Sequence, residues 1–286
     1  DYFADGPCAG KCPGRYANLL LERGVQKGDK VAILLMNGLE WLPIYFGILK
    51  TGALAVPLNY RYSADEIQYC LDLADVDILV FGPEFIGRVE EVADEIGKHR
   101  LLYYVGDSCP GFAEDYISHT ANCSSQSPKI AISDDDYAAI YFSSGTTGFP
   151  KAILHRHRAL LHAAQTEQHH HGQTHQDVFL CIPPLYHTGA KMHWFGSLLS
   201  GSKAVLLKGA NPEFILQAVS EEKCTIVWLL VPWAQDLLLA LDPQLIAVHV
   251  QAQVVELDHA LGALGCSRGG LAAAQHRLDA GHHFLG

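Results

Sequence analysis

Residues 138–152 read Ala-Ala-Ile-Tyr-Phe-Ser-Ser-Gly-Thr-Thr-Gly-Phe-Pro-Lys-Ala, an apolar run that opens into four hydroxyls and two glycines and closes on a lysine. These residue types suit a polyphosphate. Gly145 and Gly148 lack Cβ atoms, so the backbone can approach phosphate oxygens closely. Consecutive amides in such a turn form an anion-binding nest. The hydroxyls of Ser143, Ser144, Thr146 and Thr147 add donors, and Lys151 adds a compact positive charge. The expected nucleotide-binding set is therefore Ser143, Ser144, Gly145, Thr146, Thr147, Gly148 and Lys151. A P-loop would carry its Lys directly after the second Gly, whereas Phe149 and Pro150 intervene here. The dinucleotide fingerprint fails too, because Gly-x-Gly is absent from the loop. Composition alone leaves one plain alternative, a Ser/Thr/Gly surface turn.

The loop needs elements to hold it, and the apolar pattern supplies them. Short strand-like runs at 30–35, 53–57, 77–81, 101–105 and 137–142 alternate with helix-like stretches at 15–23, 40–50, 63 onward and 83–97. Ser63 and Glu66 have the spacing of a capping box, in which each satisfies an orphan amide of the other's residue. The stretch 106–136 is polar, with Pro, Ser, Asn and a run of Asp, and reads as a connecting segment. The alternation resumes with strands at 152–154, 177–182, 203–207 and 225–230, and helices at 156–168, 191–199, 212–222 and 232–241. Strands alternating with helices predict an α/β fold of parallel sheets covered on both faces, here in two βαβ-layered subdomains.

Composition bounds the function. Hydrophobic residues make up 49% and charged residues 18%, enough for a buried core, and the net charge is -11. An acidic chain of this kind argues against nucleic acid as partner. The eight cysteines show no framework of short paired spacings, which points to a reducing, cytoplasmic setting. No apolar run is long enough for a transmembrane helix. Sixteen histidines raise the question of a metal, through His155, His157, His162 and the run 169–171. No four-ligand zinc spacing emerges, so no metal site is expected, and the run reads as a solvated helix end.

The run Tyr141-Phe-Ser-Ser-Gly-Thr-Thr-Gly-Phe-Pro-Lys151 resembles the phosphate loop of the adenylate-forming (AMP-binding) superfamily, of the acyl-CoA synthetase type. Three further runs are similar to that family in the same order. They are Arg23-Gly-Val-Gln-Lys-Gly-Asp-Lys-Val-Ala-Ile33, Gly47-Ile-Leu-Lys-Thr-Gly-Ala-Leu-Ala-Val-Pro-Leu-Asn59 and Pro183-Pro-Leu-Tyr-His-Thr-Gly189. The resemblance covers about residues 15–242. It implies an N-terminal portion of such an enzyme, with 1–14 unassigned, a connection at about 106–136 and a divergent tail at 243–286.

The resemblance also implies a chemistry. A carboxylic acid would be activated by ATP to an acyl-adenylate and then passed to coenzyme A, with Mg²⁺ sharing the phosphate charge. His187, Thr188, Gly189 and Trp194 would border the acid, and the aromatic residues nearby imply a hydrophobic or aromatic substrate. The family's later Tyr-Gly-x-Thr-Glu run and its C-terminal Lys do not occur here. The chain alone is therefore expected to be an incomplete and inactive ligase, with no certain catalytic residue of its own. The alternatives are a non-catalytic ATP-binding remnant and an adenylating enzyme with an acceptor other than coenzyme A.

Overall fold

A computed structural model of the protein describes residues 12–143 and 149–240. The chain divides after Leu230 into two compact units. Of the second, the described part is one helix, α10 (Val231–Ala240). The first unit holds everything that follows.

Its first half runs α1 (Pro13–Glu22), β1 (Lys30–Leu34), α2 (Trp41–Lys50), β2 (Leu54–Pro57), α3 (Ala64–Leu73) and β3 (Ile78–Phe81). Next come the short helices α4 (Ile86–Glu90) and α5 (Ala93–Ile96), β4 (Leu101–Tyr104), β5 (Glu114–Asp115), α6 (Tyr116–Ala121), β6 (Tyr137–Ser143) and β7 (Lys151–Arg156). These strands form one sheet in the order β5-β4-β3-β1-β2-β6-β7. Alternate residues explain its apolar strands. Val31, Ile33, Ile78 and Val80 face the core that holds Tyr16, Trp41 and Tyr45. Ala32, Leu34, Leu79 and Phe81 face the other, with Ile67, Leu71 and Val89. A sheet buried on both faces must be apolar at every position. On the first face α1 and α2 approach closely at Gly47, where a Cβ would lie 2.9 Å from the Tyr16 ring.

The second sheet is parallel, in the order β10-β8-β9, built from β8 (Val178–Cys181), β9 (Lys203–Leu206) and β10 (Ile226–Val227). Helices α7 (His157–His170), α8 (Thr188–Ser200) and α9 (Pro212–Glu222) accompany it. Phe179, Cys181, Met192 and Trp194 join the same core as Tyr45 and Tyr141, so the two sheets share one apolar interior.

The parallel α/β expectation holds, with one antiparallel exception at β6–β7, where Ser143 pairs with Lys151. Only seven residues separate those two positions. So short a connection allows a hairpin but not the crossover that parallel strands require. The Ser63–Glu66 capping box is present in both directions. The helix expected over 83–97 is broken instead into a short turn, α4 and α5. Amides of Val92 and Glu95 bond carbonyls three residues back, tightening the chain where periodicity cannot distinguish i+3 from i+4.

The polar stretch 106–136 carries β5 and α6 and is tied down by side chains. Arg15 donates to the Ala121 and Cys123 carbonyls at 2.6 and 2.8 Å, and Asn18 to those of Ser124 and Gln126 at 2.7 and 2.9 Å. Six cysteines among the described residues are free thiols. Among the described residues no helix is long and apolar enough to cross a membrane.

The sheets share no strand, and one side chain ties their backbones together. Asn37, 9% exposed just beyond β1, donates to the carbonyls of Pro183 and Leu207, both at 3.0 Å. Its Oδ1 accepts the Leu185 N–H at 2.9 Å. Asn37→Ala would leave the buried Pro183 carbonyl and Leu185 N–H, and the half-buried Leu207 carbonyl, without this partner, so a loss of about 2–5 kcal/mol is expected. Urea unfolding of the two proteins measures it. A loss within about 0.5 kcal/mol, the range of an ordinary surface change, would contradict this role.

Candidate functional site

The carboxyl ends of β2 and β6, with the segment that follows β8, enclose a cleft of about 590 Å³. Crevices at the carboxyl ends of strands are where open α/β sheets bind ligands. One wall holds Pro57, Asn59 and Arg61 after β2, and another holds Tyr141, Phe142 and Ser143. Tyr186, His187 and Thr188 close the third side, with Pro150 and His155 from the hairpin.

Of the residues expected to bind nucleotide, Ser143 lines the cleft at the end of β6. Lys151 is exposed and directly opposite Ser143 in the hairpin register, next to the lining residue Pro150. Ser144, Gly145, Thr146, Thr147 and Gly148 lie outside the described residues. The far end of the loop is anchored by Phe149, whose ring contacts Tyr69 of α3 at 4.5 Å.

Of the residues expected at the acid, His187 and Thr188 line the cleft. His187 is the N-cap of α8 and Thr188 its first residue, so the positive end of that helix faces the opening. Gly189 and Trp194 are not in the lining. Gly189 is exposed, and a Cβ there would lie 3.8 Å from the Trp228 ring; Trp194 is 8% exposed in the shared core, a packing position rather than a wall of this cleft.

Two cations emerge that sequence reasoning did not single out. Arg61 sits in the cleft wall against the Tyr60 ring. Its signal was weak, because it lies just past the Gly47–Asn59 run and belongs to no recognisable spacing. Lys191 lies beneath the cleft on α8 and is 0% exposed. Its Nζ has no hydrogen-bond partner among the described residues and stands 3.9 Å from the centre of the Tyr141 ring, 4.9 Å from Tyr45 and 5.1 Å from Trp41. A lysine among Ala190, Met192, Trp194 and Phe195 was the visible sign.

The electrostatics follow from that placement. Burial holds the Lys191 ammonium well below its usual pKa. Desolvation, then the Lys191 charge, lowers both His155 and His187 below the usual imidazole value. Both rings are therefore neutral at physiological pH and can accept or donate one hydrogen bond. Tyr45 and Tyr141 share a hydroxyl hydrogen bond at 3.0 Å, which locks the aromatic floor over the lysine.

Among the described residues lining the cleft the one carboxylate is Glu66, and it is committed to the cap of α3. The described cleft therefore fits an anionic ligand, through Arg61, the α8 N-terminus and nearby Lys151. It does not supply ligands for Mg²⁺.

The chain is similar to known proteins over most of its length. The AMP-binding enzyme family matches residues 13–277, past the limit of about 242 read from the motifs. The chain is 33% identical over 221 residues to a crotonobetaine/carnitine–CoA ligase of Citrobacter koseri, covering 74% of this chain and 42% of that protein. It is 28% identical over 217 residues to a 3-hydroxybenzoate/4-hydroxybenzoate–CoA ligase of Thauera aromatica, covering 75% and 42%. ATP-bound MatB from Rhodopseudomonas palustris superimposes with a TM-score of 0.70 at 27% identity, over 81% of this chain and 44% of that one. The chain thus spans about two fifths of the length of the curated relatives it matches.

Lys191 carries a direct test of the electrostatics. Its folded pKa lies below the 10.5 of a free lysine, so between those values the unfolded chain binds the extra proton. Stability should then rise with pH across that window. Lys191→Met should remove the slope and raise stability near neutral pH by about 1–4 kcal/mol, net of the cation–π attraction it gives up. Urea unfolding in neutral and mildly alkaline buffer measures both. A less stable variant would mean that the aromatic cage outweighs desolvation.

Proposed function

We propose that this chain, which belongs to the AMP-binding enzyme family, supplies the ATP-phosphate and acid-facing part of an AMP-forming acyl-CoA ligase. The observation that carries the reading is the meeting of two separate motifs at one cleft. Tyr141, Phe142, Ser143 and Pro150 line it from β6 and the following hairpin, and His187 and Thr188 line it from the start of α8.

In this reading the loop amides and hydroxyls, with Lys151 and Arg61, hold the ATP phosphates. One carboxylate oxygen of the acid attacks the α-phosphorus, the bridging bond to the β-phosphorus breaks, and pyrophosphate leaves. The thiolate of coenzyme A then attacks the acyl carbon and AMP departs. The chain's own contribution is positioning and charge stabilisation, which dominate such transfers. Neutral His187 would orient the acid at the helix N-terminus. The rings of Tyr141 and Tyr186 in the cleft lining support a hydrophobic or aromatic acid, and the named substrates of the relatives include hydroxybenzoates. Free thiols throughout the described chain support a reducing, cytoplasmic setting.

Mg²⁺ when bound would share the phosphate charge, but the described cleft offers it no free carboxylate. That observation favours a second reading, in which the chain binds ATP without catalysing. Carboxylate-dependent ATP–pyrophosphate exchange separates the two.

Lys151→Ala should weaken ATP binding by about tenfold to a hundredfold, the worth of a charge-assisted contact. The unfolding midpoint should hold, because the residue is exposed. Titration calorimetry with ATP reads the first and thermal unfolding the second. An unchanged affinity would remove the loop from nucleotide binding. For the substrate class, exchange profiled across acetate, medium-chain, long-chain and aryl acids should favour the larger ones, and a response to acetate alone would overturn that choice.

A further inference from the structure

On the side of the second sheet, α7 and α8 bring together three side chains that the nucleotide cleft does not use. Glu167 and His171 are four residues apart at the C-terminal end of α7, so they share one helix face. His193 projects from α8 and is 7% exposed. Glu167 Oε2 lies 3.3 Å from His193 Nε2 and 3.5 Å from His171 Nε2. The two imidazole rings are 4.8 Å apart between centres, and the three ligand atoms lie within 4.8 Å of one another.

Those separations are the informative quantity. Hydrogen bonds from ring nitrogen to carboxylate span about 2.7–3.2 Å. Two ligands on a tetrahedral metal with bonds of about 2.0–2.1 Å stand about 3.3–3.4 Å apart, the edge of the tetrahedron. Both Nε2–Oε2 separations lie beyond that hydrogen-bond range and close to the tetrahedral edge, with both Nε2 atoms turned to the same oxygen. We propose that Glu167, His171 and His193 bind a divalent transition metal of the zinc class, with a fourth position open to water.

The surroundings favour a fixed site. Gln173 donates to Ser197 Oγ at 2.7 Å and to Ser202 Oγ at 3.1 Å, and Gln168 donates to the Gln173 carbonyl at 2.7 Å. These bonds tie the end of α7 to α8. The helices can come this close because residue 196 is glycine; a Cβ there would lie 2.8 Å from Gln173 Oε1. Phe179 stacks on His193 at 5.7 Å and holds that ring from below. Glu167 and His171 remain partly open to solvent, which provides an entry path. Two imidazoles and one carboxylate suit Zn²⁺ and its neighbours in the first transition row, whereas Mg²⁺ prefers oxygen ligands.

The sequence conceals this site. Only Glu167 and His171 are near each other in the chain, and the third ligand arrives from the following helix. The run 169–171 draws attention for its density, yet its middle and first members point elsewhere, since neither His169 nor His170 joins the triad.

The test uses the full chain, stripped with a chelator and titrated with Zn²⁺ and separately with Mg²⁺. Bound zinc is counted by elemental analysis, and Co²⁺ is added as a spectroscopic probe of tetrahedral coordination. The expected result is a zinc site whose affinity falls about tenfold or more in both Glu167→Gln and His171→Ala, but not in His170→Ala. Glu167→Gln preserves shape and His171 is exposed, so neither variant is expected to unfold the chain; circular dichroism checks this. Stoichiometric zinc that is indifferent to both variants would place the metal elsewhere and overturn the proposal. Absence of zinc binding, or equal preference for Mg²⁺, would overturn it as well.

Discussion

The carboxamide of Asn37 is where the two sheets become one scaffold. It sits at the carboxyl end of the central strand β1 and spends its donors and its acceptor on backbone groups of residues 183, 185 and 207. Those groups belong to the turns that leave β8 and β9, so they have no ladder of their own to satisfy them. Burying them without a partner would cost more than the bond itself returns, which makes the contact obligatory rather than helpful. It also fixes the height at which the 183–187 segment crosses the first sheet. His187 and Thr188 face Ser143 across the cleft because that crossing is set.

Below the cleft, the same logic applies to charge. Lys191 is placed in an apolar interior with ring faces in place of hydrogen-bond acceptors. Aromatic faces attract a cation but do not replace water, so the group is held at a cost. The neutral state of His155 and His187 follows partly from that neighbour. The cleft thus combines a cationic rim with neutral imidazoles, an arrangement that suits an anionic ligand whose reacting end must not be protonated.

Much of the fold was legible because its signals are local. Both-face burial makes the strands β1 to β4 apolar at every position after Lys30, and Ser63 with Glu66 marks the start of α3 by spacing alone. The stretch 106–136 was less legible. Its carbonyls are satisfied by Arg15 and Asn18, more than a hundred residues earlier, and no local pattern records such partners. The broken helix at 86–96 failed for another reason, since apolar spacing fits i+3 and i+4 bonding alike. At the site, Ser143, His187 and Thr188 were readable from motifs and do meet at the cleft. Trp194 lies outside the cleft lining, because packing carries it into the shared core. Asn37, Arg61 and Lys191 escaped because a single residue of common type carries no spacing until the fold supplies its neighbours.

The central claim is that a polyphosphate nucleotide occupies the cleft between the β6–β7 hairpin and the start of α8. Hydrogen–deuterium exchange of the chain with and without ATP tests it most directly. The account predicts slower exchange in 141–151, at 186–189 and around 57–61, with little change in the β4–β5 edge. Protection confined to other segments, or none at saturating ATP, would contradict it.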